Sequence, residues 1–330
     1  MAAAPRDGGH LSQKEPPMTS PTRVRTPYRA PAPLGGRPSN RRALPARALL
    51  FMLPALVVLL AFVFWPMASA LRLSFTNASG FGIEEWVGFD NYAKIFTDHR
   101  ILATLGNTAL YTSMFTPTAL IVALALALLL NNRLLVARGF FRTALFLPFI
   151  ISLAVAAFAW TYLLDPQVGL LTYWLRTVGV QIGNVLQDPI LAMPTVVAVA
   201  IWKNFGFYMV VFIAGLQEIP ESLYEAAKID GAGPWRRFTN VTLPQLGNTL
   251  AFVVVFAMIA ALQAFDQIYV MTGGGPYRST QSVVMELYQD GFKKLDLGLA
   301  SALSYVLLAA TLLLSLIQFR FFGRREKDTL

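Results

Sequence analysis

Long stretches with no charged side chain alternate along this chain with short polar segments. The first, ALLFMLPALVVLLAFVFWPMASAL between Arg47 and Arg72, runs for 24 residues. As an α-helix it would be about 36 Å long, enough to cross the hydrocarbon core of a bilayer. Further charge-free runs extend from Ile101 to Asn132, Thr143 to Leu164, Phe238 to Phe265 and Leu297 to Phe319. The stretch from Pro189 to Gln217 carries only Lys203. The pattern predicts six transmembrane helices, at about 48–71, 104–130, 143–164, 190–216, 249–271 and 297–320. Pro54, Pro66, Pro117 and Pro148 are tolerated in them as kinks or end residues. The expected fold class is therefore all-α, a polytopic membrane protein whose transmembrane domain covers 47–323.

Polar segments fix the direction. With a cytoplasmic N-terminus, the inner segments hold nineteen Lys and Arg and the outer ones seven. Basic residues concentrate on the cytoplasmic side of membrane proteins, so both termini are expected inside. Residues 1–46 are rich in Pro, Arg, Ser and Gly without apolar periodicity, and are expected to form a disordered basic tail. They do not read as a cleavable signal, because the apolar run after them is too long. Residues 324–330 form a short cytoplasmic C-terminus.

Composition narrows the chemistry. Charged residues make up 14% of the 330, far below a soluble domain, while 55% are apolar. There is no cysteine and there are two histidines, which removes thiolate chemistry and leaves no plausible metal cluster. The net charge of +9 lies on the inner loops and tail, where it meets anionic lipid; no recognition motif or aromatic interleaving suggests nucleic acid. GxxxxGK[ST], GxSxG and HExxH are all absent, and Gly273-Gly274-Gly275-Pro276 lacks the lysine and following helix of a phosphate loop. No catalytic residue is assigned, and any use of ATP would need another subunit.

Two charges fall inside expected spans: Lys203, beside Asn204, and Asp266, between Gln263 and Gln267. Embedded ionisable groups tend to face a bundle interior or wet cavity. Lys203, Asn204, Gln263 and Asp266 are accordingly candidates for a hydrophilic path. A mutual ion pair that only fixes packing, or snorkelling to an interface, explains the charges equally well. Aromatics near span ends, such as Trp65, Trp160 and Trp174, read as an interfacial belt. Ala123, Ala125 and Ala127 suggest close helix packing.

The 217–247 loop is unlike its surroundings. Pro220, Glu221 and Glu225 suit the start of a helix, Asp230-Gly231 its end, and Gly233-Pro234 the start of a second one. Leu223, Ala226 and Ala227 fall on one face, Glu225 and Lys228 on the other. Pro244 punctuates the chain before the next span. Such a helix could dock into a groove on another protein or simply link two spans.

These residues carry a resemblance. Glu225, Ala226, Ala227, Asp230, Gly231 and Ala232, followed by Phe238, Val241, Leu243 and Pro244, resemble the EAA loop of importer-type ABC transporter permeases, with Val241 replacing an isoleucine. Phe265 to Pro276, Leu297 to Ala302 and Trp86 to Tyr92 are similar to segments of the carbohydrate-type branch, which includes maltose and glycerol-3-phosphate systems. The resemblance covers the chain from about Ala48 onward. It implies a non-catalytic permease subunit in a prokaryotic plasma (inner) membrane, importing a sugar or sugar-like solute. It also implies three partners: a second permease, a cytoplasmic ABC ATPase dimer that binds the ATP and Mg, and an extracytoplasmic solute-binding protein. Glu225, Ala226, Ala227, Asp230 and Gly231 would form the ATPase-coupling contact. Other readings of the chain are a membrane enzyme acting on lipid-linked sugars, for which its acidic residues are too scattered, and a secondary transporter, for which no inverted repeat is visible.

Overall fold

A computed structural model of the chain describes residues 46–80, 82, 84–132, 135–180 and 183–327. The expected tail, up to residue 45, and residues 328–330 lie outside the described residues. The chain divides into two units, Met1–Leu56 and Val57–Leu330, and the second contains the helical bundle. Helices α1 (Ala46–Leu59), α2 (Trp65–Leu73), α3 (Asp90–Thr97) and α4 (His99–Asn131) come first, with a π-helical turn at Leu60–Phe64. Next are α5 (Arg138–Ile150), α6 (Leu153–Leu163), α7 (Leu170–Thr177) and α8 (Ala192–Glu218). A polar stretch supplies α9 (Glu221–Ile229), α10 (Pro234–Arg237), a π turn at Phe238–Thr242 and α11 (Leu243–Gln245). The chain closes with α12 (Gly247–Leu262), α13 (Asp266–Met271), α14 (Val283–Tyr288), a π turn at Gln289–Lys293 and α15 (Leu297–Lys327). No strand occurs among the described residues.

Four helices are long and apolar enough to cross a membrane: Phe51–Leu73, His99–Asn131, Ala192–Glu218 and Leu297–Arg320. Two bent pairs bring the number to as many as six. α5 and α6 meet at 96°, around Ile151 and Ser152, within the stretch read from the sequence as one span. Ser152 is extended (ψ 137°), so the i to i−4 ladder stops there. The segment Pro234–Gln245 turns by 71° into α12 at Leu246. Pro244, read from the sequence as punctuation before the next span, sits near the start of α11, and the bend comes just after it. Pro117 lies inside α4, which continues unbroken, and α15 runs on past its apolar stretch to Lys327.

α4 and α8 form the most extensive helix pair. Ala119, Ala123 and Ala127 of α4 are fully buried and spaced four apart, a small-residue stripe that lets the backbones approach. Ala125 points outward. Tyr111, Phe115, Met209 and Phe212 fill the space between the helices. α8 also meets α5, where a Cβ at Gly206 would run into the carbonyl oxygen of Leu145. From Val57 to Leu73, by contrast, no side chain is buried. In a bilayer this apolar exposure is solvated by lipid, so it carries none of the cost it would in water.

At one end of the bundle, the segment after α13 folds back against α4 and α15. Asn107 donates to the Arg278 and Gln281 carbonyls (2.8 and 3.2 Å), and Thr108 Oγ1 accepts from the Val283 N–H at 2.9 Å. Ions hold it too. The Arg100 guanidinium reaches Glu286 at 2.8 Å and Asp290 at 3.0 Å, and Lys294 donates to Asp290 at 2.6 Å. Arg278 also pairs with Glu286, and Gln281 donates to that carboxylate at 2.9 Å. Both carboxylates are buried and share three cations, so each keeps a partner when any one cation is removed.

Candidate functional site

α12 stops at Leu262 because the next residues leave helical geometry, Phe265 reaching φ −140° and ψ −61°. The chain then restarts as α13. Ser282 Oγ donates to the Ala264 carbonyl at 2.7 Å, which pins the break to the returning segment. A cavity of about 190 Å³ opens beside it, walled by Tyr111 and Phe115 of α4, Leu153 of α6, Asn204 of α8, and residues 263–267. The break thus presents polar side chains where the rest of the bundle is apolar. This is where a membrane helix tolerates irregular backbone, facing a cavity rather than lipid.

Three of the four candidate path residues meet here: Asn204, Gln263 and Asp266. Gln263 and Asp266 are exposed, whereas the Asn204 amide donates to Ala200 O at 2.8 Å. Lys203 is not part of the wall. Its Nζ lies 4.6 Å above the Phe149 ring, a cation–π contact on the α5 side of α8. Among the described residues Lys203 and Asp266 form no contact ion pair.

The structure adds Tyr111, a residue the sequence did not single out. Gln267 Nε2 donates to the Tyr111 hydroxyl at 2.7 Å, and both side chains are buried. The other amide atom of Gln267, Oε1, is buried without a partner while its side chain lines the cavity. An unpaired buried acceptor of this kind costs about 1–3 kcal/mol until something donates to it. Gln267 could be noticed from its place beside Asp266. Tyr111 could not, because a tyrosine in a charge-free run looks like core.

At the opposite end, α9 stands out from the bundle with no buried residue. Glu221 sits in its first turn and Lys228 in its last, each matching the sign of the helix dipole. Asp230 caps the C-terminus, and Gly231 takes φ +72°, the left-handed stop that lets Ala232 N–H donate to Ala227 O at 2.9 Å. Tyr224 and Thr242 share a hydroxyl hydrogen bond of 3.0 Å, which ties α9 to the next segment. Of the face formed by Leu223, Ala226 and Ala227, only Ala227 is partly covered, together with Tyr224, while Leu223 stays exposed. Glu225, Ala226 and Ile229 are left exposed.

A helical membrane bundle with a polar cavity at a helix break, and a polar helix-turn-helix held out from one end, defines a protein of the transport permease class. The chain belongs to the family of binding-protein-dependent transport system inner membrane components, matched over residues 99–327. It is 38% identical over 280 residues to the sn-glycerol-3-phosphate transport system permease protein UgpA of Yersinia pestis, covering 84% of this chain and 94% of that one. The Agrobacterium fabrum UgpA is 37% identical over 285 residues, with the same coverage. Among solved structures, a bacterial alginate ABC transporter in complex with an alginate pentasaccharide-bound periplasmic protein contains a similar chain. Its TM-score is 0.75 at 23% identity, over 84% of this chain and 94% of that chain, a likeness of fold.

Proposed function

We propose that this chain forms half of the translocation path of an ABC importer for a sugar or sugar-like solute: an oligosaccharide, an amino sugar or a glycerol phosphate. The observation that carries the reading is the cavity at the α12–α13 break, where Asn204, Gln263, Asp266 and the unpaired Gln267 oxygen converge. A hydroxyl-rich solute supplies the donors and acceptors that such a wall asks for, while Phe115 and Phe265 offer apolar surface. The relatives named for sn-glycerol-3-phosphate transport support the solute class.

In this reading the chain hydrolyses nothing itself. A separate ATPase dimer binds ATP and Mg, a second permease closes the path, and an extracytoplasmic binding protein delivers solute. Glu225, Ala226, Ala227, Asp230 and Gly231 form the ATPase-coupling contact, supported by the exposure of α9 and the motif it carries. Both termini are cytoplasmic, as the distribution of Lys and Arg supports. A rigid helix seated in the ATPase would convert closure of that dimer into movement of the spans, both partners biasing one two-state bundle.

Proteoliposomes containing the assembled complex test this. Uptake is expected to need both the binding protein and ATP hydrolysis, and Asp266→Asn is expected to cut uptake while leaving assembly intact. Uptake without the ATPase, driven by an ion gradient, would overturn the importer reading in favour of a secondary transporter. Unchanged uptake in Asp266→Asn would remove Asp266 from the path.

A further inference from the structure

The cavity has an aromatic approach. Phe265, in its wall, stacks on Tyr269 of α13 at 5.3 Å between ring centres, and both rings meet Tyr288 of α14, at 5.4 and 5.6 Å. Tyr288 stacks in turn on Phe292 at 5.6 Å. The rings therefore form one unbroken series from the cavity to the segment that folds back outside it. Its far end is open, with Phe292 70% exposed and Tyr269 42% exposed.

Packing alone does not call for this. α14 buries Val283, Met285 and Glu286 on its other side, and the following π turn buries Asp290 and Gly291. That face anchors the segment, and the Tyr288–Phe292 face is left over. Nor is the surface a lipid-facing one. Asp266 stands exposed three residues before Tyr269, on the same face of α13, and Lys293 holds its Nζ 5.8 Å from the centre of the Tyr288 ring. An unpaired carboxylate and an ammonium bracket the aromatic series, and both would be costly against hydrocarbon. The face is wet.

Resting on the importer reading above, we propose that the open face of Phe292, backed by Tyr288, forms a capture subsite for a pyranose ring, ahead of the cavity. A pyranose has an apolar C–H face that packs flat on an aromatic ring, with its hydroxyls directed outward to water. Tyr288 stacks on one side of Phe292 and meets Phe265 and Tyr269 tilted and edge-on, so the face open to a sugar is that of Phe292, which Tyr288 holds in place. The occupant is a ring-bearing sugar. Glycerol phosphate has no such face, and gains nothing from the series.

Saturation-transfer NMR on the assembled transporter in nanodiscs, with maltotriose and sn-glycerol 3-phosphate as separate probes, tests the subsite. Maltotriose is expected to receive saturation from aromatic protons at its C–H positions. That transfer should fall about fivefold in Phe292→Ala and in Tyr288→Ala, and persist in Phe292→Trp. Glycerol 3-phosphate should be indifferent to all three. The proposal is overturned if maltotriose receives no transfer, if its transfer is unchanged by the alanine variants, or if glycerol 3-phosphate depends on the rings equally. Any of these results obtained alongside ATP-driven uptake removes the subsite and leaves the importer reading standing. Loss of ATP dependence removes that reading whatever the rings do.

Discussion

Arg100 holds two carboxylates that are otherwise out of water, those of Glu286 and Asp290. Replacing it with methionine is expected to destabilise the bundle by about 1.5–3 kcal/mol, the worth of hydrogen bonds to a charged group, since Arg278 still pairs with Glu286 and Lys294 with Asp290. Unfolding by denaturant in mixed micelles measures this, and a change under about 1 kcal/mol, roughly the size of a surface pair, would mean the network is hydrated. Gly206→Val is expected to fail differently. Its side chain would collide with the Leu145 carbonyl, forcing α5 and α8 apart. The folded yield in detergent should drop sharply, whereas Gly106→Val, with open space at its Cβ, should express normally. Neither position stands out in the sequence. Arg100 and Glu286 are 186 residues apart, and a glycine in an apolar run gives no hint of what it faces.

Elements were legible where their pattern was long. The uninterrupted helices α4 and α8 match charge-free or nearly charge-free runs. The bend at Ser152 and the break around Phe265 do not, because hydropathy reports the solvent a segment prefers and not the path its backbone takes. That is why the cavity was half-visible: Gln263 and Asp266 showed as polar residues in an apolar run, but the break that turns them toward Asn204 did not. The start of α4 offers an element-scale test. Asp98 accepts from the Arg100 N–H at 2.8 Å, and this bond holds its carboxyl below the usual carboxylate range. A lowered folded-state pKa means the cap stabilises the helix above the ordinary carboxylate range. The contribution is lost as pH falls through the depressed value. Amide exchange at Arg100 and Ile101 is therefore expected to quicken relative to mid-helix amides on acidification. In Asp98→Asn the cap survives but the pH dependence should vanish, and Asp98→Ala should cost about 1 kcal/mol at neutral pH. Equal acid sensitivity in the asparagine variant would show that Asp98 is not the titrating group.

At the scale of the whole molecule, the apolar runs and the ordered motif in α9 pointed to the family before any geometry was known. They could not supply which face of α9 is free. The hydrogen bond between Tyr224 and Thr242 decides that, by turning Tyr224 and Ala227 inward and leaving Glu225, Ala226 and Ile229 outside. In the importer reading, such a free surface is what a separate motor needs in order to move the bundle. Gly231→Pro is expected to abolish uptake with the protein still in the membrane, because Gly231 turns the chain at φ +72°, a value proline cannot adopt. The most direct measurement uses the absence of cysteine from the chain, which makes Ala226→Cys its single thiol. The rate of maleimide labelling is read with the permease alone and again with the ATPase subunits bound. Labelling should be rapid in the free permease and strongly suppressed in the complex. Equal rates in the two states, with the ATPase bound and active, would mean that α9 is not the surface on which the motor sits.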